Sequence, residues 1–142
     1  MFKYFLDIQK GNFVASEKNK VSNVDLKIED QGQIISLLGP SGIGKTTILR
    51  TLAGLQRLNS GQIFLKGKLI ASNSVHIEPE KRNIALSFQD NSLFPNYKVI
   101  DNINFGKKRS NGSGFSLDTK EIIELLHIDP ILNKFPHQIS AG

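Results

Sequence analysis

Apolar and polar residues alternate along two early stretches of the chain. Phe5-Leu6-Asp7-Ile8 and Val24-Asp25-Leu26-Lys27-Ile28 repeat with a period of two, so each predicts a half-buried β-strand. After the Gln31-Gly32 turn, Ile34-Ile35-Ser36-Leu37-Leu38 is mostly apolar and partly β-branched, which predicts a strand buried on both faces. Past residues 39–44 the period lengthens. Ile48, Leu49, Leu52 and Leu55 recur at helical spacing from Lys45 onward, and Gly54 falls near the predicted helix end. Ser60-Gly61 and Lys66-Gly67 turn the chain into 62–65 and 68–70, a predicted antiparallel hairpin. Residues 71–82 predict a loop, and 84–88 a second apolar strand.

The pattern changes near Leu93-Phe94-Pro95. Residues 99–105 predict a short helix and 106–116, rich in Gly, Ser and Asn, a flexible linker. Asp118-Thr119-Lys120-Glu121 fits a capping box, and Ile122, Ile123, Leu125 and Leu126 give the next helix an apolar face. Pro130 and Pro136 interrupt any regular structure after residue 129.

Composition narrows the class. The chain has 142 residues, 39% hydrophobic and 22% charged, the make-up of one soluble globular domain. No apolar run approaches the roughly 20 residues of a membrane-spanning helix. Asp7 interrupts the N-terminal apolar stretch, so no secretory segment is predicted. Cysteine is absent, which excludes disulfides and thiolate metal sites and fits a reducing cytosol. The net charge is +5, but the basic residues are scattered, with one cluster at Lys107-Lys108-Arg109. No stacking aromatics interleave them, so a solvated surface is expected rather than nucleic-acid binding. His76, His127 and His137 have no metal-ligand spacing and are expected at the surface or at helix ends.

One segment carries explicit chemistry. Gly39-Pro40-Ser41-Gly42-Ile43-Gly44-Lys45-Thr46 fits the phosphate-loop pattern G-x-x-x-x-G-K-[ST], known as Walker A. A triphosphate needs several backbone N–H groups converging on it, and glycines let the chain curl into such a nest. The helix that begins near Lys45 adds unpaired N–H groups and its positive dipole end. Lys45 is expected to reach the β- and γ-phosphates and the Thr46 hydroxyl to ligate Mg²⁺. Thr47 adds a further amide and hydroxyl. The expected ligand is ATP with Mg²⁺, and the expected fold class is an α/β P-loop domain with an antiparallel hairpin region.

The flanks of this loop, Leu38 before it and Thr47-Ile48-Leu49-Arg50, Leu52-Ala53-Gly54-Leu55 and Ser60-Gly61 after it, resemble the nucleotide-binding subunit of ATP-binding-cassette (ABC) transporters. Phe88-Gln89-Asp90-Asn91-Ser92-Leu93-Phe94-Pro95, then Val99-Ile100-Asp101-Asn102-Ile103, is similar to that family's Q-loop segment. The resemblance implies that Gln89 ligates Mg²⁺ and senses the attacking water. Pro136-His137-Gln138-Ile139-Ser140-Ala141-Gly142 resembles the signature motif Leu-Ser-Gly-Gly-Gln, with Ile139 for Leu and Ala141 for Gly. Ser140, Ala141 and Gly142 are then implied to contact ATP held by an opposite subunit. The family also stacks adenine on an aromatic ring ahead of Walker A. Phe13 is the candidate, with Tyr4 a second and a core role for Phe13 an equal alternative. Pro79-Glu80-Lys81-Arg82-Asn83-Ile84 resembles the branch that imports ferric iron, polyamines and thiamine.

The resemblance implies a nucleotide-binding core over residues 1–94 and the start of a helical subdomain over 95–142. Two nucleotide-binding subunits would close on ATP against membrane-embedded permease subunits, at the cytoplasmic face of the membrane. Four apolar residues followed by Asp-Glu, the family's Walker B strand with its general base, occur nowhere in the sequence. The chain therefore reads as an N-terminal part of the family domain, expected to bind ATP weakly and hydrolyse it negligibly alone. Other readings remain: a soluble ABC ATPase of DNA repair or translation, a P-loop small-molecule kinase, or a non-enzymatic binding module.

Overall fold

A computed structural model of the chain describes residues 2–14, 20–29, 32–88, 93–109 and 118–140. It divides into two compact units, Met1–Leu86 and Ser87–Gly142.

The first unit is built on a four-stranded antiparallel sheet. Its strands are β1 (Leu6–Val14), β2 (Lys20–Ile28), β3 (Ser60–Leu65) and β4 (Lys68–Ser72), in the order β2-β1-β3-β4. The alternating pattern does what its period dictates. Leu6, Ile8, Gly11 and Phe13 of β1 are buried with Ile63 of β3 and Ile70 of β4, while Asp7, Gln9, Lys10 and Asn12 between them are half-buried or exposed. The expected hairpin is present, with Leu65 opposite Lys68 and Gln62 opposite Ser72. Helix α1 (Lys45–Leu52) packs on this sheet, and its Ile48 joins the core.

Two expectations fail here. Neither 34–38 nor 84–88 forms a strand. Ile34 is 96% and Leu38 88% exposed. A strand buried on both faces exists only through ladders to neighbours on each side, and none of the four strands of the sheet pairs with either segment. Helix α1 buries only part of the expected apolar face: Ile48 joins the core and Leu52 packs against it, with the threonines beside them. Thr47, Ile48 and Thr51 are buried, while Leu49 and Leu55 are exposed. Thr51 can be buried because its hydroxyl donates to Thr47 O within the helix, at 2.8 Å.

The second unit holds α2 (Val99–Arg109) and α3 (Thr119–Leu125) with two 3₁₀ turns, Asp129–Ile131 and Pro136–Gln138. Helix α2 runs through to Arg109, past the expected end at 105 and into the expected linker, of which 110–116 lie outside the described residues. Val99 N–H and Ile100 N–H donate to Lys134 O and Leu132 O, which fastens the start of α2 to the segment between the two turns. Asp118 caps α3 as expected, though its carboxylate accepts from Lys120 N–H rather than the amide of Glu121. Before α2, Asn102 gathers the turn at 94–98. Its Oδ1 accepts from Phe94 N–H at 2.8 Å, and its Nδ2 reaches the carbonyls of Phe94, Tyr97 and Lys98 at 3.1–3.2 Å. Phe94, Tyr97 and Phe105 stack into one aromatic cluster with ring centres 4.5–6.3 Å apart.

Candidate phosphate-binding site

The loop from Gly39 to Gly44 leads directly into α1. Gly44 is its N-cap, with φ at +105°, a left-handed backbone that favours glycine. A side chain there would collide with Val21 Cγ2, so the same glycine lets the loop lie against β2. Ile43 N–H turns back to Pro40 O at 3.4 Å, and Ile48 N–H opens the helical ladder on Gly44 O at 3.1 Å. The first amides of α1 precede that ladder and have no partner within the helix. No side chain caps them, and no acidic residue stands in the first turn. An uncapped helix start without a competing carboxylate is an anion site in waiting.

Lys45 completes the arrangement. Its ammonium donates to Gly39 O and Pro40 O, each at 2.7 Å, and so arcs back over the loop. Pro40, Ser41, Gly42 and Ile43 are exposed around it, and Thr46 is exposed beside it, while Thr47 is buried under the helix. This donor set fits a phosphate chain with Mg²⁺. Mg²⁺ bound through phosphates needs few protein ligands, and the Thr46 hydroxyl is a hard oxygen at the helix start. Among the described residues no cluster of three or more His, Cys, Asp or Glu could hold a metal on its own.

Both aromatic candidates for adenine require correction. Phe13 is 0% exposed, a core side chain packed with Ile8 and Ile63, so neither ring face is open to a base. Tyr4 lies at the wrong end of the sheet. The neighbouring Phe5 N–H bonds Ile28 O, whereas Gly44 meets β2 at Val21, about 23 Å away at 3.3 Å per residue. The Tyr4 ring is also flanked by the Lys3 and Lys27 ammonium groups, 5.2 and 5.1 Å from its centre. Gln89, Ala141 and Gly142 lie outside the described residues. Ser140 is exposed, just past the 3₁₀ turn Pro136–Gln138.

Sequence reasoning missed Arg82. It is 2% exposed, and its guanidinium donates to the carbonyls of Ile77, Thr51 and Leu52. Its Nη2 lies 3.3 Å from His76 Nδ1, and since arginine only donates, that ring nitrogen must accept. His76, expected at the surface or a helix end, is half-buried and bonded to Arg82. Burial lowers the pKa of Arg82 from its ordinary value, with Glu78 pulling the other way. The charge survives at neutral pH, because arginine does not deprotonate in proteins. The only sequence signal was its place just before the apolar run 84–88, in a charged segment that otherwise reads as surface.

An α/β domain with a glycine loop, a lysine and an uncapped helix start defines a P-loop nucleotide-binding protein. Residues 21–142 match the family model described as ABC transporter, and the chain belongs to that family. It is 42% identical over 124 residues to the spermidine/putrescine import ATP-binding protein PotA of Nitrosospira multiformis, covering 86% of this chain and 33% of that protein. It is 38% identical over 133 residues to the trehalose/maltose import ATP-binding protein MalK of Thermococcus litoralis, covering 91% and 36%. The chain thus spans about a third of the length of these curated relatives. A solved ATP-binding cassette of an ABC transporter superposes with a TM-score of 0.75 at 18% identity, over 98% of this chain and 60% of that one. That likeness establishes the fold, an α/β architecture shared with part of that cassette.

Proposed function

We propose that the chain is the nucleotide-binding part of the ATP-binding subunit of an importing ABC transporter, which couples ATP binding and hydrolysis to solute uptake. The observation that carries this reading is the Lys45 ammonium held over a glycine loop at the uncapped start of α1. The relatives PotA and MalK, ATP-binding proteins of import systems, support the direction of transport.

In this reading the amides of residues 42–47 and Lys45 hold the β- and γ-phosphates, and Thr46 with Gln89 holds Mg²⁺. The metal supplies charge neutralisation on the phosphate oxygens when bound. Ser140, Ala141 and Gly142 meet the nucleotide of a second nucleotide-binding subunit. The segment after Gln89, with its aromatic cluster of Phe94, Tyr97 and Phe105, faces the permease at the cytoplasmic side of the membrane. The test is MgATP binding by the full-length protein. Lys45→Ala is expected to weaken it by about 10- to 100-fold, the scale of a lost charged hydrogen bond, and unchanged affinity would sink the reading.

A further inference from the structure

Helix α1 has eight residues and is about 12 Å long at 1.5 Å per residue. Lys45 and Thr46 stand at one end. The other end closes with two backbone bonds, Gly54 N–H to Thr51 O at 3.1 Å and Leu55 N–H to Arg50 O at 2.9 Å, with Gly54 left-handed at φ +84°. This is a Schellman motif, and it leaves the Leu52 carbonyl without a backbone donor. Arg82 fills that place. Its Nη1 donates to Thr51 O at 2.7 Å and to Leu52 O at 3.0 Å, and its Nε to Ile77 O at 2.6 Å. Ile77 is itself held to β4 by its N–H bond to Ile70 O at 3.0 Å. The guanidinium therefore ties the last turn of α1 to the edge of the sheet. Gly54 makes room for it, since a Cβ there would stand 2.7 Å from Arg82 Nε.

A buried charge is a costly way to gain stability, because an apolar side chain of similar size often does as well. What a planar guanidinium adds is geometry. Bonds fanning out in one plane fix where the helix end lies and how it is turned. A helix this short moves as a rod, so fixing one end sets the other.

We propose that Arg82 is a positioning residue for phosphate binding, holding α1 in the placement at which its first-turn amides, Lys45 and Thr46 converge on one polyphosphate. The proposal rests on the ATP-binding reading of this loop. Its signature is selectivity. Loss of the clamp shifts the groups that bind β- and γ-phosphates and leaves contacts to the rest of the nucleotide alone.

The experiment compares MgATP and AMP affinities of the full-length protein by competition with a fluorescent nucleotide, alongside thermal melting. Arg82→Lys keeps the charge but not the fork. It is expected to weaken MgATP roughly tenfold, the scale of a sub-ångström misplacement, with AMP within about twofold. Gly54→Ala leaves Arg82 in the sequence but crowds its guanidinium, and should reproduce the selective loss. Arg82→Met removes every donor and should be worst. Should it fail to fold, Arg82→Lys and Gly54→Ala carry the test. Folded variants that melt earlier yet bind MgATP and AMP in the original ratio would overturn the proposal and leave Arg82 a helix cap. Unaltered protein that binds no MgATP would remove the underlying reading as well, an outcome distinguishable from the first.

Discussion

The Lys45 ammonium lies 2.7 Å from the carbonyl oxygen of Gly39, six residues upstream, and bridges from there to Pro40. In this state the cation that would bind a phosphate serves as a strut across the loop. A ligand must supply oxygens that replace both carbonyls, and a phosphate chain does so with full negative charge. Lys45→Met should loosen the free loop, read as faster amide exchange at 41–44. It should also weaken MgATP by about 10- to 100-fold, since hydrogen bonds to charged groups contribute about 1.5–3 kcal/mol.

Gly44 answers two demands at once, a left-handed φ and contact with Val21. Gly44→Ala is expected to destabilise the first unit by about 2–4 kcal/mol, combining backbone strain with overpacking. Val21→Ala in the same molecule should recover the packing part and not the strain. Urea denaturation of both single variants and the double variant separates the two. Strict additivity would show that the contact with Val21 carries no energy.

Asn102 supplies one acceptor and two donors to a turn that has no ladder of its own. Asn102→Asp keeps the acceptor for Phe94 N–H but sets a carboxylate against three carbonyls. It should cost more than Asn102→Ala, for which about 1–3 kcal/mol is expected from the orphaned groups. Hydrogen exchange at Phe94 and Tyr97 is the measurement, and the reverse order would contradict the account.

Phe13 belongs to the core and not to the nucleotide. Phe13→Ala should lower stability by about 3–5 kcal/mol through the cavity it leaves. Phe13→Leu should remain folded and bind ATP and GTP in the original ratio. A changed ratio would return the ring to the binding site.

The range of each interaction decided whether the sequence disclosed it. The strands of the antiparallel sheet were legible because each buries one face, so alternation at Leu6, Ile8, Leu26 and Ile28 prints the sheet onto the sequence. The phosphate loop was legible because its chemistry is local: glycines, a lysine and a threonine within eight residues. Residues 34–38 misled because a continuous apolar run says that partners are needed without saying where they are. The buried face of α1 was legible only in part because Thr47 and Thr51 look polar, yet the Thr51 hydroxyl is satisfied inside the helix. Arg82 was invisible because three of its partners are backbone carbonyls, two of them 30 and 31 positions away, which no side-chain pattern records.

The uncovered run at 34–38 has a thermodynamic consequence for the loop it feeds. Downstream, Gly39–Lys45 is anchored by a helix, a sheet contact and a buried fork of hydrogen bonds. Upstream, no β-ladder restrains it. Nucleotide that closes the nest on this 142-residue chain must also still the approach to it, and immobilising backbone carries roughly 1–2 kcal/mol per residue of entropy. Calorimetric titration should accordingly find a strongly exothermic association offset by a large entropic penalty, with modest net affinity.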